Sequence, residues 1–271
     1  MALIPPSFLD CVVAIGTIQN GKKSWIGTGF LVGRFYRKVD EKKNEYHTFL
    51  VTNKHVLRSL QSIIIRFNPE SSSESAKDYP IRLVDADGNK TWTSHPVEDV
   101  GIIHINAEIL RSDARKFTYF QSDISLLSIK QMAEKGVSEG DCIYVLGYPM
   151  GIVAKDLQYV IVRSGSIARI RDLLEGRSNH FIGDAFVFPG NSGGPVVLKP
   201  ELIHVQNTKP IKTAYLIGIV QGHIPYKDTA ISVQTKRPRV IFEENSGLCA
   251  IIPTDFIMEA IEICAKSIGI V

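Results

Sequence analysis

Three short segments of this chain carry side chains that could act together on a carbonyl group. Residues 188–197 read Phe-Pro-Gly-Asn-Ser-Gly-Gly-Pro-Val-Val, a serine held among glycines and followed at once by an apolar strand. Glycine permits the tight backbone that would let the N–H groups of Gly190 and Ser192 converge on a developing oxyanion. Taken alone, the stretch is equally an ordinary Gly-rich turn. A serine hydroxyl is a weak nucleophile near neutral pH. It needs an imidazole to take its proton and a carboxylate to fix the imidazole tautomer. Both are at hand: His55 lies just past the apolar run that ends at Val51, and Asp99 stands where the run 100–105 begins. With 7 His and 28 acidic residues to choose from, one match means little and only the set counts.

The elements that must position these groups are strands. Short β-branched runs separated by Gly, Pro and Asn/Asp turns dominate the chain. The plainest pair is 11–18 and 24–32, joined through Asn20-Gly21, whose positive φ suits a hairpin. Further strands are expected at 46–52, 63–67, 81–85 and 100–105, then at 141–147, 158–170, 181–188, 195–199, 214–221, 229–234 and 248–252. Ile257, Ile261, Cys264 and Ile268 recur at helical spacing and predict one amphipathic helix over about 254–268, with Thr254 as N-cap. The organisation expected is a β half over 1–110, a polar connection over 111–140 with about one helical turn, and a second β half over 141–271. Two such halves suggest paired barrels with a site between them, because closure removes exposed sheet edges.

The set of motifs resembles the trypsin/chymotrypsin-like serine protease superfamily. Thr52-Asn53-Lys54-His55 is similar to its T-x-x-H element, Asp99-Val100-Gly101-Ile102 to its D-[IVL]-[AG]-[LIV] element, and Gly190-Asn191-Ser192-Gly193-Gly194-Pro195 to G-[DN]-S-G-G-P, in the same order. The resemblance implies an all-β fold of two six-stranded antiparallel β-barrels with a C-terminal helix. It also implies His55, Asp99 and Ser192 as catalytic residues, with Gly190 and Ser192 as oxyanion donors and protein or peptide as substrate. His47, His95, His104, His180, His204 and His223 lack the T-x-x-H context. Glu98, beside Asp99, is expected to face solvent. Residues 139–151, 164–168 and 250–254 look closest to bacterial HtrA/Deg-type proteases and stand-alone trypsin-like peptidases, here without a PDZ domain.

The same resemblance guides specificity and regulation. Phe186 takes the place at the base of the primary pocket, with Val187, Val220, Gln221, Gly222 and His223 along the cleft. Cleavage after small or medium apolar residues is the expectation. Asn191 stands where secreted members carry an aspartate that pairs with a new N-terminus, so another device would regulate activity. An activating protein partner acting at 150–158 or 171–180 is one such device, and a silent or latent peptide-binding module is the alternative reading.

Composition narrows the rest. The chain has 271 residues, 44% of them hydrophobic, with 31 Lys+Arg against 28 Asp+Glu, which excludes a disordered tail or a strongly basic nucleic-acid arm. No apolar run reaches the roughly 18 residues of a membrane span, and the N-terminus makes a poor secretory signal, so a cytoplasmic setting without membrane or nucleic-acid partners is expected. Cys11, Cys142, Cys249 and Cys264 are widely spaced and read as four buried thiols. No cofactor is implied. The sequence 85–89, Asp-Ala-Asp-Gly-Asn, lacks the rest of a calcium loop and reads as a β-turn, so no metal is assigned.

Overall fold

The computed structural model describes residues 4–41, 44–71, 73–203, 205, 208 and 210–270. Its strands are β1 (Val12–Gln19), β2 (Lys22–Lys38), β3 (Asn44–Thr52), β4 (Ser62–Pro69), β5 (Lys77–Arg82), β6 (Thr93–Ser94), β7 (Gly101–Ile105), β8 (Arg115–Lys116), β9 (Phe120–Gln121), β10 (Cys142–Gly147), β11 (Ile161–Arg169), β12 (Phe181–Asp184), β13 (Pro195–Leu198), β14 (Tyr215–Ile231) and β15 (Pro238–Pro253). The helices are α1 (Pro6–Leu9), α2 (Lys54–Leu57), α3 (Ala107–Ser112), α4 (Ile129–Lys135), α5 (Arg171–Leu174) and α6 (Thr254–Ser267).

The first hairpin forms as its turn residues dictate. Asn20 and Gly21 both take positive φ, 50° and 74°, and β1 pairs with β2 from Val12↔Phe30 to Gln19↔Lys22. The first sheet runs β5-β4-β1-β2-β3-β7-β6, with β8 on β4 and β9 on β2. The second closes into a barrel, β10-β11-β12-β15-β14-β13. The chain therefore pairs one closed barrel with one half-barrel, rather than closing both. The end strands of the first sheet explain the difference. β6 has two residues, and β5 carries Pro80, which cannot donate to a further ladder.

A shared core joins the halves. Phe30, Phe49, Val51 and Phe120 from the first sheet pack with Leu146, Tyr148, Val197 and Ile219 from the barrel, and with Ile257, Ile261 and Cys264 from α6. The helix thus covers the seam, which is why its apolar stripe is needed. Its N-cap is Pro253 rather than Thr254, because the Thr254 hydroxyl donates to the Leu127 carbonyl and is unavailable as a cap. The polar connection is more structured than its sequence suggests. α3 runs into its start, and it supplies α4 and two short strands that add to the first sheet. The strand expected at 229–234 does not stand alone, since residues up to Ile231 continue β14.

One expectation about the cysteines changes. Cys11, Cys249 and Cys264 are buried, but Cys142, at the start of β10, points outward and is exposed. Burial pushes the Cys11 and Cys264 thiols above their ordinary value and raises Cys249 to about 11. A thiolate is what reacts, so native protein should give one fast thiol with a disulfide reagent such as DTNB and three that appear only on unfolding. Loss of the fast phase in Cys142→Ser checks the assignment.

Candidate active site

His55 sits in α2, one short turn after β3, and Asp99 precedes β7, the strand that pairs with β3 from Thr48↔Ile105 to Thr52↔Gly101. That pairing fixes their separation. His55 Nδ1 lies 2.6 Å from Asp99 Oδ2, and the His55 backbone N–H donates to Asp99 Oδ1 at 2.9 Å. The Asp99 backbone is held as well: its carbonyl accepts from the Asn53 side chain at 2.9 Å and from the Lys54 N–H at 3.3 Å. Against a carboxylate Nδ1 is the donor, and Nε2 is the ring nitrogen left without a hydrogen-bond partner among the described residues.

Ser192 comes from the other half, in the turn before β13. Gly190 and Gly193 adopt φ of +99° and +84°. A Cβ on Gly193 would lie 2.2 Å from the Thr28 carbonyl, and one on Gly190 would lie 2.4 Å from the Tyr148 carbonyl, so both positions need glycine. The Pro189 carbonyl accepts from the Met150 N–H at 2.6 Å. In a trans peptide the N–H points opposite to the carbonyl, so the Gly190 N–H is turned away from Met150. Among the described residues neither the Gly190 nor the Ser192 N–H donates to a protein acceptor. The Ser192 hydroxyl bonds the Gln221 carbonyl at 3.4 Å.

Thr28 on β2 ties these pieces together. Its hydroxyl donates to the Gly190 carbonyl at 2.6 Å and accepts from the Tyr148 N–H at 3.0 Å. Its backbone N–H donates to the Ser192 carbonyl at 3.0 Å, and its carbonyl accepts from Thr52, three residues before His55, at 2.8 Å. In the sequence Thr28 reads only as part of the strand 24–32. Its role was readable from no local pattern, because every partner lies at least 24 residues away.

Other expected positions divide. Glu98 does not face solvent: it is 5% exposed, with His180 Nε2 at 2.5 Å and Asn179 Nδ2 at 2.9 Å. A buried carboxylate needs partners, and the loop after α5 brings them from the opposite half. The loop 150–158 is fastened too, since Arg66 Nη1 donates to the Ala154 and Lys155 carbonyls at 2.8 and 3.2 Å. Val187 and Val220 are buried in the barrel core and present no side chain to a cleft. Phe186 is 51% exposed and lies over Gly247 rather than at a closed pocket base. Gln221, Gly222 and His223 remain on the accessible strand beside Ser192.

The other histidines are accounted for. His95 Nδ1 accepts N–H bonds from Val97 and Glu98, so Nε2 carries the proton, facing Glu259 at 3.1 Å, and no free base remains. His180 is committed to Glu98. His47 and His104 lie side by side on β3 and β7, both depressed by burial. His223 is exposed, and His204 lies outside the described residues. Among the described residues no cluster of three or more His, Cys, Asp or Glu could hold a metal.

A histidine–aspartate pair on one β half and a serine in a glycine-rich turn of a closed barrel fit a serine protease fold of the chymotrypsin-like kind. The family is narrower: its model, the trypsin-like peptidase domain, matches residues 27–201, and the chain belongs to that family. Among solved structures it is similar to the HtrA-type protease AlgW with a tripeptide, at 19% identity and a TM-score of 0.48, over 94% of this chain and 60% of that one. The chain thus spans less than two thirds of that protein's length. It is also similar to the apo protease domain of MamO from Magnetospirillum magneticum, at 14% identity and a TM-score of 0.49, over 94% and 97% of the two chains.

Replacing Thr28 by valine keeps the shape but leaves the buried Gly190 carbonyl and Tyr148 N–H without their partner. Each group so orphaned costs about 1–3 kcal/mol. Thr28→Val should lower the urea midpoint accordingly and by more than Thr28→Ser, which keeps the hydroxyl; equal effects from both variants would remove Thr28 from this role.

Proposed function

We propose that the protein is a serine endopeptidase acting through an acyl-enzyme, with Ser192 as nucleophile, His55 as general base and then acid, and Asp99 as the group that fixes the imidazole. The observation that carries this reading is the His55–Asp99 contact at 2.6 Å, doubled by the backbone N–H bond, which holds Nε2 open as a base. In the reaction His55 Nε2 takes the Ser192 proton as Oγ attacks the scissile carbonyl. The Gly190 and Ser192 N–H groups stabilise the oxyanion, and the imidazolium returns the proton to the departing amine. Water then repeats the sequence on the ester.

A second reading, a latent or silent module that binds a peptide or protein, has one observation in its favour: the serine hydroxyl bonds Gln221 instead of His55. At 3.4 Å that bond is longer than the usual 2.7–2.8 Å mode for hydroxyl donors, so it is weak and a rotation about one side-chain bond releases it. The catalytic reading is therefore preferred. A preference for small or medium apolar side chains before the scissile bond fits the absence of any acid in segment 185–194. Regulation by a partner would have to loosen loops 150–158 or 171–180 from their bonds to Arg66 and Glu98, and a cytoplasmic setting remains part of the proposal.

A fluorophosphonate probe should label wild type and fail on Ser192→Ala and His55→Ala. Asp99→Asn should drop turnover by about four orders of magnitude, the size seen when the tautomer is lost. Unlabelled wild type would overturn the catalytic reading in favour of the binding one, and a peptide-library profile dominated by Arg or Lys would overturn the specificity.

A further inference from the structure

β14 and β15 outrun the barrel they help close. β14 is bonded to β13 only as far as Pro195↔Ile219, and β15 to β12 only from Phe181↔Ile251 to Asp184↔Leu248. Beyond these, the two strands pair with each other alone, from Pro225↔Asn245 to Ile231↔Pro238. At about 3.3 Å per residue this arm extends roughly 20 Å. It carries Tyr226, Ile231, Val240, Ile241 and Phe242 more than half exposed, and Val233 at its tip 83% exposed. An isolated two-stranded ribbon is marginal in water, and a long apolar edge invites another chain to pair with it.

The two edges of the arm are not equivalent. Where β15 leaves the barrel its edge is occupied, because Ala185 N–H donates to the Gly247 carbonyl at 2.9 Å and Asn245 Nδ2 to the Val187 carbonyl at 2.7 Å. The β14 edge is closed at Val220, whose N–H and carbonyl bond Gly194 and Gly193 at 2.9 and 3.0 Å. The next residue, Gln221, already offers its carbonyl to the Ser192 hydroxyl. From there to Ile231 no described strand pairs with this edge. The open edge therefore begins at the proposed nucleophile and runs along the arm in two stretches, broken between His223 and Pro225 by a register shift and by a proline that has no N–H to donate.

We propose that the arm is a track for an unfolded polypeptide substrate, which adds as an antiparallel strand to the β14 edge from Gln221 to Ile231. This rests on the reading of Ser192 as nucleophile. Antiparallel addition lays the residues on the amino side of the scissile bond along the arm, so recognition extends upstream past the break at Pro225. The ladder supplies sequence-tolerant affinity, and the exposed apolar side chains of the arm select apolar ones in the added strand. The segment 229–242 has Lys236, Arg237 and Arg239 and no acid, so acidic residues are favoured at the far upstream end. A folded protein cannot offer such a strand, whereas an unfolded one can.

The probe is fluorescent, reduced and carboxymethylated α-lactalbumin, with the native disulfide-bonded form as control, measured by anisotropy on Ser192→Ala protein so that nothing is cut. Three arms are compared: full length; residues 227–243 replaced by Asn-Gly; and a full-length arm with Tyr226→Ser and Phe242→Ser, whose exposed positions leave folding intact. The unfolded probe should bind the full arm at least about tenfold more tightly than the shortened one, with the double variant between them and native α-lactalbumin unbound. Equal binding to all three arms overturns the proposal. So does a shortened arm that leaves probe binding unchanged but converts a dimer to a monomer in sedimentation, which would assign the arm to a second copy. Fluorophosphonate labelling of the Ser192-containing proteins is scored separately. Labelling with arm-independent binding defeats the track alone, and arm-dependent binding without labelling defeats the nucleophile assignment alone.

Discussion

The proposed chemistry of this chain depends on two halves meeting in register, and one buried hydroxyl carries that register. Thr28 stands on β2 of the half-barrel, yet its side chain bonds Gly190 and Tyr148 of the closed barrel, while its backbone bonds Ser192 on one side and Thr52 on the other. A threonine hydroxyl has one proton to donate and two lone pairs to accept with, so it can serve a carbonyl and an N–H at once. Valine has the shape without the chemistry, and serine the chemistry without the methyl that packs. The same close approach forbids a side chain at Gly193, whose Cβ would collide with the Thr28 carbonyl. The glycines around the serine are thus demanded by the neighbouring half as much as by the turn itself.

Two further clasps cross the seam, and both cost desolvation before they contribute. Glu98 is buried beside Asp99, and Arg66 is buried on β4. Arg66 meets Asp78 through two bonds of 2.6 and 3.1 Å, packs over Trp25, and spends its remaining donors on carbonyls of the loop 150–158. Glu98 meets His180 and Asn179 from the loop 171–180. A buried charge with its partners adds little net stability, but removing a partner strands the charge, so both clasps fix geometry more than they add energy. The loops 150–158 and 171–180, the expected places for a switch, are therefore the ones that grip the half-barrel. Any switch there has to replace what it releases.

The sequence was most legible where chemistry or turn stereochemistry is local. Asn20-Gly21 gave its hairpin, the periodicity of α6 its helix, and the contexts of His55 and Asp99 their pairing. It was least legible where the deciding partner is remote. Nothing near Glu98 announces burial, because His180 is 82 residues away. Thr254 looked like a cap because capping is local chemistry, but a carbonyl at Leu127 claims its hydroxyl. The arm escaped notice for a related reason. Its two strands bury neither face, so the alternation of apolar and polar residues that marks a strand is missing, and 229–234 read as a separate element. The half-barrel likewise depends on the two-residue length of β6, which no pattern fixes.

Two buried amides show how the site balances its polar groups. Asn53 and Asn191 are wholly buried, two residues before His55 and one before Ser192, and each has one side-chain atom unpaired among the described residues. An orphaned buried polar atom costs about 1–3 kcal/mol, so each amide must contribute something the fold would otherwise lack. Asn53 spends its Nδ2 donor on the Asp99 carbonyl, which steadies the carboxylate behind His55. Asn191 spends Oδ1 on the Phe188 N–H at 3.0 Å, which closes the turn that turns Gly190 and Ser192 outward. An aspartate at 191 could accept the same bond and would leave no idle N–H. It would, however, bury a full charge beside a turn where no described cation bonds it, at a far higher cost than the idle amide hydrogen. Asparagine is the cheaper way to hold this turn.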